Sequence, residues 1–245
     1  MSPTQQNQTQ HSPNPEIIRS MFSKVAGQYD KANSVLSVGI HHLWRKKLVR
    51  LSGATDGQSI LDCATGTGDL AIEFKKAVGP NGRVVGTDFC ADMLESAPQK
   101  AKAENLDILF EQADVTQLQY QDNQFDVVSI SFGIRNVNNP VKALQEMARV
   151  AKPGGRVMIL EFGQMQTPVV KDLYNFYSEK ILPIIGGWVT GQKEAYQYLQ
   201  KSSAAFPSRE AFVALMQQAG CFAEMNFVPV SFGIAYIYTG VVKAK

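Results

Sequence analysis

Apolar and polar positions along the chain follow two rhythms. Between residues 16 and 52 the apolar positions recur at helical spacing, first through Ile17, Ile18, Met21, Phe22 and Val25, then through Leu43, Trp44 and Leu48 with Lys47. This stretch is expected to form an N-terminal helical cap. From residue 58 to about 163, short apolar runs alternate with amphipathic segments. Strands are predicted over 58–63, 83–88, 107–112, 125–131 and 156–162, with helices over 69–78, 91–103 and 139–151. Such alternation predicts a parallel, doubly wound α/β sheet. The helix stop at Lys152-Pro153-Gly154-Gly155 has a physical cause, since proline lacks a donor and glycine permits reversal.

Residues 164–205 break the rhythm with an aromatic helical insertion. Leu173, Phe176, Tyr177 and Ile181 share a helical face that stops at Pro183, and the apolar run Ile184–Val189 follows. After a helix over 208–219, strands over 222–229 and 234–242 flank a turn at Ser231–Gly233. So short a connection makes the pair antiparallel. Residues 53–245 are thus expected to form a core with a C-terminal antiparallel hairpin, and residues 1–15, rich in Gln, Asn, Thr and Pro, a disordered tail.

Composition narrows the function classes. Hydrophobic content is 44%, charged content 19% and net charge +2, as in ordinary globular proteins, and no basic stripe suggests a nucleic-acid partner. Three separated cysteines form no CxxC pair, which speaks against a disulfide framework or zinc site and suits a reducing cytoplasm. The longest apolar run, Ile181–Val189, is shorter than a membrane span.

The chemistry concentrates in Asp62-Cys63-Ala64-Thr65-Gly66-Thr67-Gly68-Asp69. A buried strand breaks there into a glycine turn that opens a helix, and the next strand ends on Asp88. Glycines let the backbone approach an adenosine ligand, and the acid takes its two ribose hydroxyls. A ligand-free turn and a dinucleotide fingerprint are the alternatives. Three features favour S-adenosylmethionine: Asp62 before the turn, placed to orient the loop and face the methionine ammonium; Asp69 where a pyrophosphate would sit; and the terminal hairpin. Asp114 is a candidate for the adenine amino group or a surface turn, and Ser131 borders the expected transfer point or serves structurally. Asp126 reads as a structural strand-start residue.

Two further stretches resemble the ubiquinone/menaquinone biosynthesis C-methyltransferase family. One is Tyr29-Asp30-x-Ala32-Asn33-x-x-Leu36-Ser37-x-x-x-His41-x-x-Trp44; the other runs from Arg149 through Lys152-Pro153-Gly154-Gly155-Arg156 to Leu160-Glu161-Phe162-Gly163. Ala32, Ala151 and Gly163 depart from the family's usual residues. The resemblance extends from about residue 16 to the C-terminus and implies a class I methyltransferase fold. It places Thr67, Asp88, Asp114, Val115 and Ser131 at S-adenosylmethionine positions beside Asp62, Gly66 and Gly68. The implied acceptor is a ring carbon of a prenylated quinol, either demethylmenaquinol or a 2-polyprenyl-6-methoxy-benzoquinol.

A quinone ring is too electron-poor to attack a sulfonium methyl, so the reduced quinol is the expected acceptor. Arg135 is a candidate to stabilise its phenolate, with a loop-fixing ion pair as the alternative. Asn136 is placed to hold an accepting water, and Tyr29 or Asp30 to close over the ring. His41 is a candidate direct base, but it and His42 are expected on a helix surface or at a cap. The aromatic insertion suits a prenyl tail or transient membrane contact at the inner face, with a packed cap or homodimer interface as the alternative. A methyltransferase for another small phenol, a nicotinamide-dependent oxidoreductase and a non-catalytic interaction protein stay open.

Overall fold

In the computed structural model, residues 14–28, 30, 34, 39–164 and 193–244 are described. Residues 1–13 of the expected tail, Tyr29, and the insertion residues Phe176, Tyr177, Ile181, Ile184, Ile185 and Trp188 lie outside them, while Asn14 and Pro15 of that tail already belong to the first helix and its cap.

Helix α1 (Pro15–Val25) begins where Asn14 accepts a hydrogen bond from the Glu16 backbone N–H at 2.9 Å, with Pro15 in the first turn. Proline suits that position because its missing N–H has no helical partner there. Helix α2 spans Ile40–Ser52 and ends on Gly53 at φ 67°. The sheet then opens with β1 (Ser59–Cys63), followed by α3 (Asp69–Val78) and β2 (Arg83–Asp88).

The helix expected over 91–103 is two helices, α4 (Ala91–Leu94) and α5 (Ala97–Ala103). Pro98 accounts for the break, since it lacks an N–H and its ring opposes the carbonyl one turn earlier. Strand β3 covers Leu109–Gln112 and β4 covers Phe125–Ser131. Helix α6 (Pro140–Val150) is capped by Asn139, which accepts from the Lys142 N–H at 3.0 Å.

Strand β5 (Ala151–Phe162) starts five residues earlier than the pattern predicts. Ala151 already pairs with Phe125, and the register then jumps to Val127 with Arg156. The Pro-Gly-Gly turn is thus taken up as an irregularity inside the ladder, with Gly154 at φ 73°.

The chain closes with α7 (Lys193–Ala205), α8 (Glu210–Ala219), β6 (Phe222–Val230) and β7 (Ala235–Val242). Among the described residues seven strands form one sheet in the order β3-β2-β1-β4-β5-β7-β6. Strands β1 to β5 are parallel, while β7 runs antiparallel to both β5 and β6.

Apolar clusters cover both faces of the sheet. Leu61, Val128, Ile130 and Val157 face α6 and α8 through Leu144, Met147 and Phe212, whereas Ile60, Val127 and Met158 face α2 and α3 through Leu48 and Phe74. Burial on both faces explains why the central strands read as unbroken apolar runs. It also leaves ligands the carboxyl edge, where β1 and β4 lie side by side and the strand order reverses.

Candidate functional site

A cleft of about 880 Å³, partly open to solvent, lies at this edge. Gly66, Asp88, Asp114, Val115, Ser131 and Asn136 all line it.

The turn after β1 is shaped by left-handed backbone at Ala64 (φ 49°), Gly66 (φ 58°) and Gly68 (φ 86°). At Gly68 a Cβ would meet Ala97 Cβ and the Phe110 ring at 3.0 Å, so both conformation and packing demand glycine. Asp88 braces the turn: one carboxylate oxygen accepts from the Gly66 N–H at 2.8 Å and the other from the Cys90 N–H at 2.9 Å. Burial pushes its pKa up, against the pull of those amides. A carboxylate offers about four acceptor directions, so the backbone amides of Gly66, Cys90 and Phe89 leave it capacity for a further donor.

Asp62 sits deeper than expected. Its oxygens accept from the Thr65 hydroxyl at 2.7 Å and the Ser129 hydroxyl at 2.6 Å, and it lies outside the cleft lining. It therefore orients the loop from below. Burial raises its pKa to about 6, against the Ser129 and Thr65 hydrogen bonds. The folded protein holds this proton more tightly than the unfolded chain, so the resulting stability is present at low pH. It is lost as pH rises through about 6. Asp62→Asn, which resembles the neutral acid, is expected to gain on the parent by on the order of 2 kcal/mol between about pH 4 and about pH 7. Thermal melts across that range measure the gain, and a constant difference contradicts it.

Thr67 and Asp69 belong to a charged knot beside the cleft. The Thr67 hydroxyl donates to Asp30, whose other oxygen accepts from Lys100 at 2.7 Å. Lys100 also donates to Asp69, and Asp69 pairs with Arg45 at 2.8 Å. Burial alone would raise the Asp69 pKa, but Arg45 and Lys100 overcome it and hold the carboxyl below its usual range. Thr67 thus anchors the loop to the N-terminal segment and does not line the cleft. Two cations offset the Asp69 charge, so it would repel a pyrophosphate less than a lone carboxylate does.

His41 is buried, not on the surface as expected, and burial followed by the Arg45 charge lowers its pKa to about 4. Ligating atoms of His41, His42 and Asp69 lie within 4.8 Å of one another. Both Asp69 oxygens already accept from cations, which disfavours a metal ion there.

At the end of β4 the Ser131 hydroxyl is buried without a hydrogen-bond partner, and it borders the cleft. Asp114 accepts from the Thr116 N–H at 2.7 Å in a turn after β3, and Val115 packs beside it. Arg135 forms an ion pair with Glu161 at 2.8 Å, the two side chains 5% and 2% exposed, and also donates to the Phe132 carbonyl. This is the loop-fixing alternative, with one qualification: the Arg135 Nε is buried without a partner. Asn136 accepts from the Tyr198 hydroxyl at 3.0 Å, which ties α7 to the cleft.

Helix α1 walls the cleft with Ile18, Arg19 and Phe22, and the Arg19 guanidinium stacks 4.2 Å from the Phe89 ring centre. The sequence marked α1 as amphipathic but carried no signal for where its apolar face docks. Phe132, left-handed at φ 56°, stacks 4.4 Å from Phe162 at the cleft's far end. Glu161 lay within a family-like block, and its role became visible only through its contact with Arg135.

The strand order with its reversed β7, and the acid-braced glycine turn, define the S-adenosylmethionine-dependent methyltransferase fold. A solved SAM-dependent methyltransferase from Aquifex aeolicus, 19% identical, shares it with a TM-score of 0.64 over 87% of this chain and 97% of its own. Residues 7–242 match the ubiE/COQ5 methyltransferase family, and the chain belongs to that family. A relative from Bdellovibrio bacteriovorus is 71% identical over 233 residues, covering 95% of this chain and 99% of the relative. One from Haemophilus ducreyi is 40% identical over 229 residues, covering 92% and 87%. Both are named ubiquinone/menaquinone biosynthesis C-methyltransferase UbiE.

Proposed function

We propose that this protein methylates a ring carbon of a prenylated quinol with S-adenosylmethionine as methyl donor. The acceptor is demethylmenaquinol, a 2-polyprenyl-6-methoxy-1,4-benzoquinol, or both. The family match over residues 7–242 carries the reading. The cleft supports it: Asp88 and the unpartnered Ser131 hydroxyl border one space beside a glycine turn.

S-adenosylmethionine supplies an electrophilic methyl group, and the protein's task is placement and charge. Asp88 would hold the ribose hydroxyls, Gly66 the close backbone approach, and Asp114 with Val115 the adenine end. Asp62 and Thr67 act through the loop they brace. Ser131 offers its unpaired hydroxyl at the rim where β4 ends. Arg135, held by Glu161 behind the cleft lining, has an unpartnered Nε that would favour the ionised ring if it reached a phenolate oxygen. Asn136, positioned by Tyr198, would orient the phenolic proton's acceptor. Residues 16–52 serve as cap and 53–245 as core, with 164–205 receiving the prenyl tail.

A labelled-methyl assay with demethylmenaquinone and a demethylated ubiquinone precursor tests this, each with and without dithionite. Transfer is expected only to reduced rings. Equal transfer to oxidised substrate contradicts the quinol chemistry, and no transfer to either reduced lipid contradicts the acceptor class.

A further inference from the structure

Helix α2 contains no acidic residue. Its inner face, through His41, Trp44, Arg45, Leu48 and Ser52, is buried. Its outer stripe sets Ile40 and Leu43, 38% and 64% exposed, among Lys46, Lys47 and Arg50. Among the described residues no carboxylate pairs with any of these three cations.

The tip of the β6–β7 hairpin rests on the same helix. Trp44 Nε1 donates to the Ser231 hydroxyl at 2.9 Å, and Lys47 Nζ donates to the Pro229 carbonyl at 3.3 Å. Ser231, Phe232 and Gly233 follow one another at φ 45°, 59° and 89°. For a residue other than glycine that conformation costs roughly 1–2 kcal/mol. Here it holds the Phe232 ring outward, 80% exposed.

Register locates the tip relative to the cleft. Phe162 at the end of β5 and Val230 at the end of β6 both pair with Ala235, so the tip stands at the carboxyl edge of the sheet. Trp44 spans the interval, its ring centre 6.1 Å from that of Phe132 in the cleft wall.

We propose that Ile40, Leu43 and Phe232, framed by Lys46, Lys47 and Arg50, dock this edge on an anionic lipid bilayer. Charge complementarity selects the occupant. Cations are attracted to an anionic leaflet, while apolar side chains insert at the headgroup–acyl boundary. A nucleic acid would use the cations and leave Leu43 and Phe232 idle. An apolar protein partner would have no use for three unpaired positive charges. The proposal rests on the prenylated-quinol reading for its purpose: the ring reaches the cleft while its tail stays in the membrane.

Sedimentation of the full chain with vesicles tests the surface. Binding is expected to phosphatidylcholine vesicles containing phosphatidylglycerol, weakening with salt, and not to phosphatidylcholine alone. Lys46→Gln/Arg50→Gln and Leu43→Ser/Phe232→Ser should each bind roughly tenfold more weakly. Both should retain parental turnover on a short-chain, water-soluble demethylated quinol and lose it on a long-chain quinol in vesicles. Equal binding to both lipid mixtures, or unchanged binding by both variants, overturns the proposal. So does conversion of a dimer to a monomer by Leu43→Ser/Phe232→Ser with vesicle binding intact, which assigns the face to a second copy. If the parent fails to methylate the short-chain quinol, the enzymatic reading falls, whereas vesicle binding judges the surface separately.

Discussion

Asp88→Ala is expected to weaken S-adenosylmethionine binding by at least roughly a hundredfold, or about 2.7 kcal/mol. Two causes add. The carboxylate would accept from two ribose hydroxyls, and hydrogen bonds to a charged group contribute about 1.5–3 kcal/mol each. The same carboxylate also holds the Gly66 and Cys90 N–H groups, so its removal frees the turn that the ligand must meet. Asp88→Asn keeps one acceptor oxygen and should fall between parent and alanine variant. Isothermal titration calorimetry measures all three. An alanine variant within about threefold of the parent removes Asp88 from the cofactor site.

Arg135→Ala should unfold more readily by roughly 3–5 kcal/mol, because it strands the Glu161 carboxylate in a buried position. Loss of activity in that variant therefore proves little about chemistry. Arg135→Met combined with Glu161→Leu removes both charges and should recover most of the stability. It should remain slower than the parent by roughly tenfold to a hundredfold, because ionising the ring hydroxyl loses a charged hydrogen bond of about 1.5–3 kcal/mol. Denaturant melts and turnover on the reduced quinol separate the two effects. A double variant that recovers both stability and turnover confines Arg135 to holding its loop.

Features of the molecule set by short-range pattern were legible in the sequence. The central strands are buried on both faces and advertise themselves as apolar runs. Gly66, Asp88 and Ser131 fall at strand ends, where position along the chain already implies position at the sheet's edge. The hairpin was legible as antiparallel, but the arm that joins β5 was not: β7 does so, and β6 takes the edge. Nothing within a hairpin decides which arm meets a strand sixty residues earlier.

Side-chain direction inside the site was hidden for the same reason. Asp62 turns toward Ser129 and Thr67 toward Asp30, partners that only folding brings near. His41 lies on the inner face of α2, where its neighbour Trp44 already suggested burial. Pro98 was in plain view, and its cost inside a helix was the physical signal for the α4–α5 break.

Helix α1 stands across one side of the cleft on contacts that are individually weak. Besides the buried Ile18 and Val25 they include a guanidinium stacked at Phe89, a 3.4 Å hydroxyl–thiol contact between Ser23 and Cys90, and, just beyond the helix, the part-buried Asp30–Lys100 pair. A nucleoside entering or leaving the cleft on this side would pass that helix, so fastening α1 more tightly would lengthen its residence and slow turnover even as affinity rose.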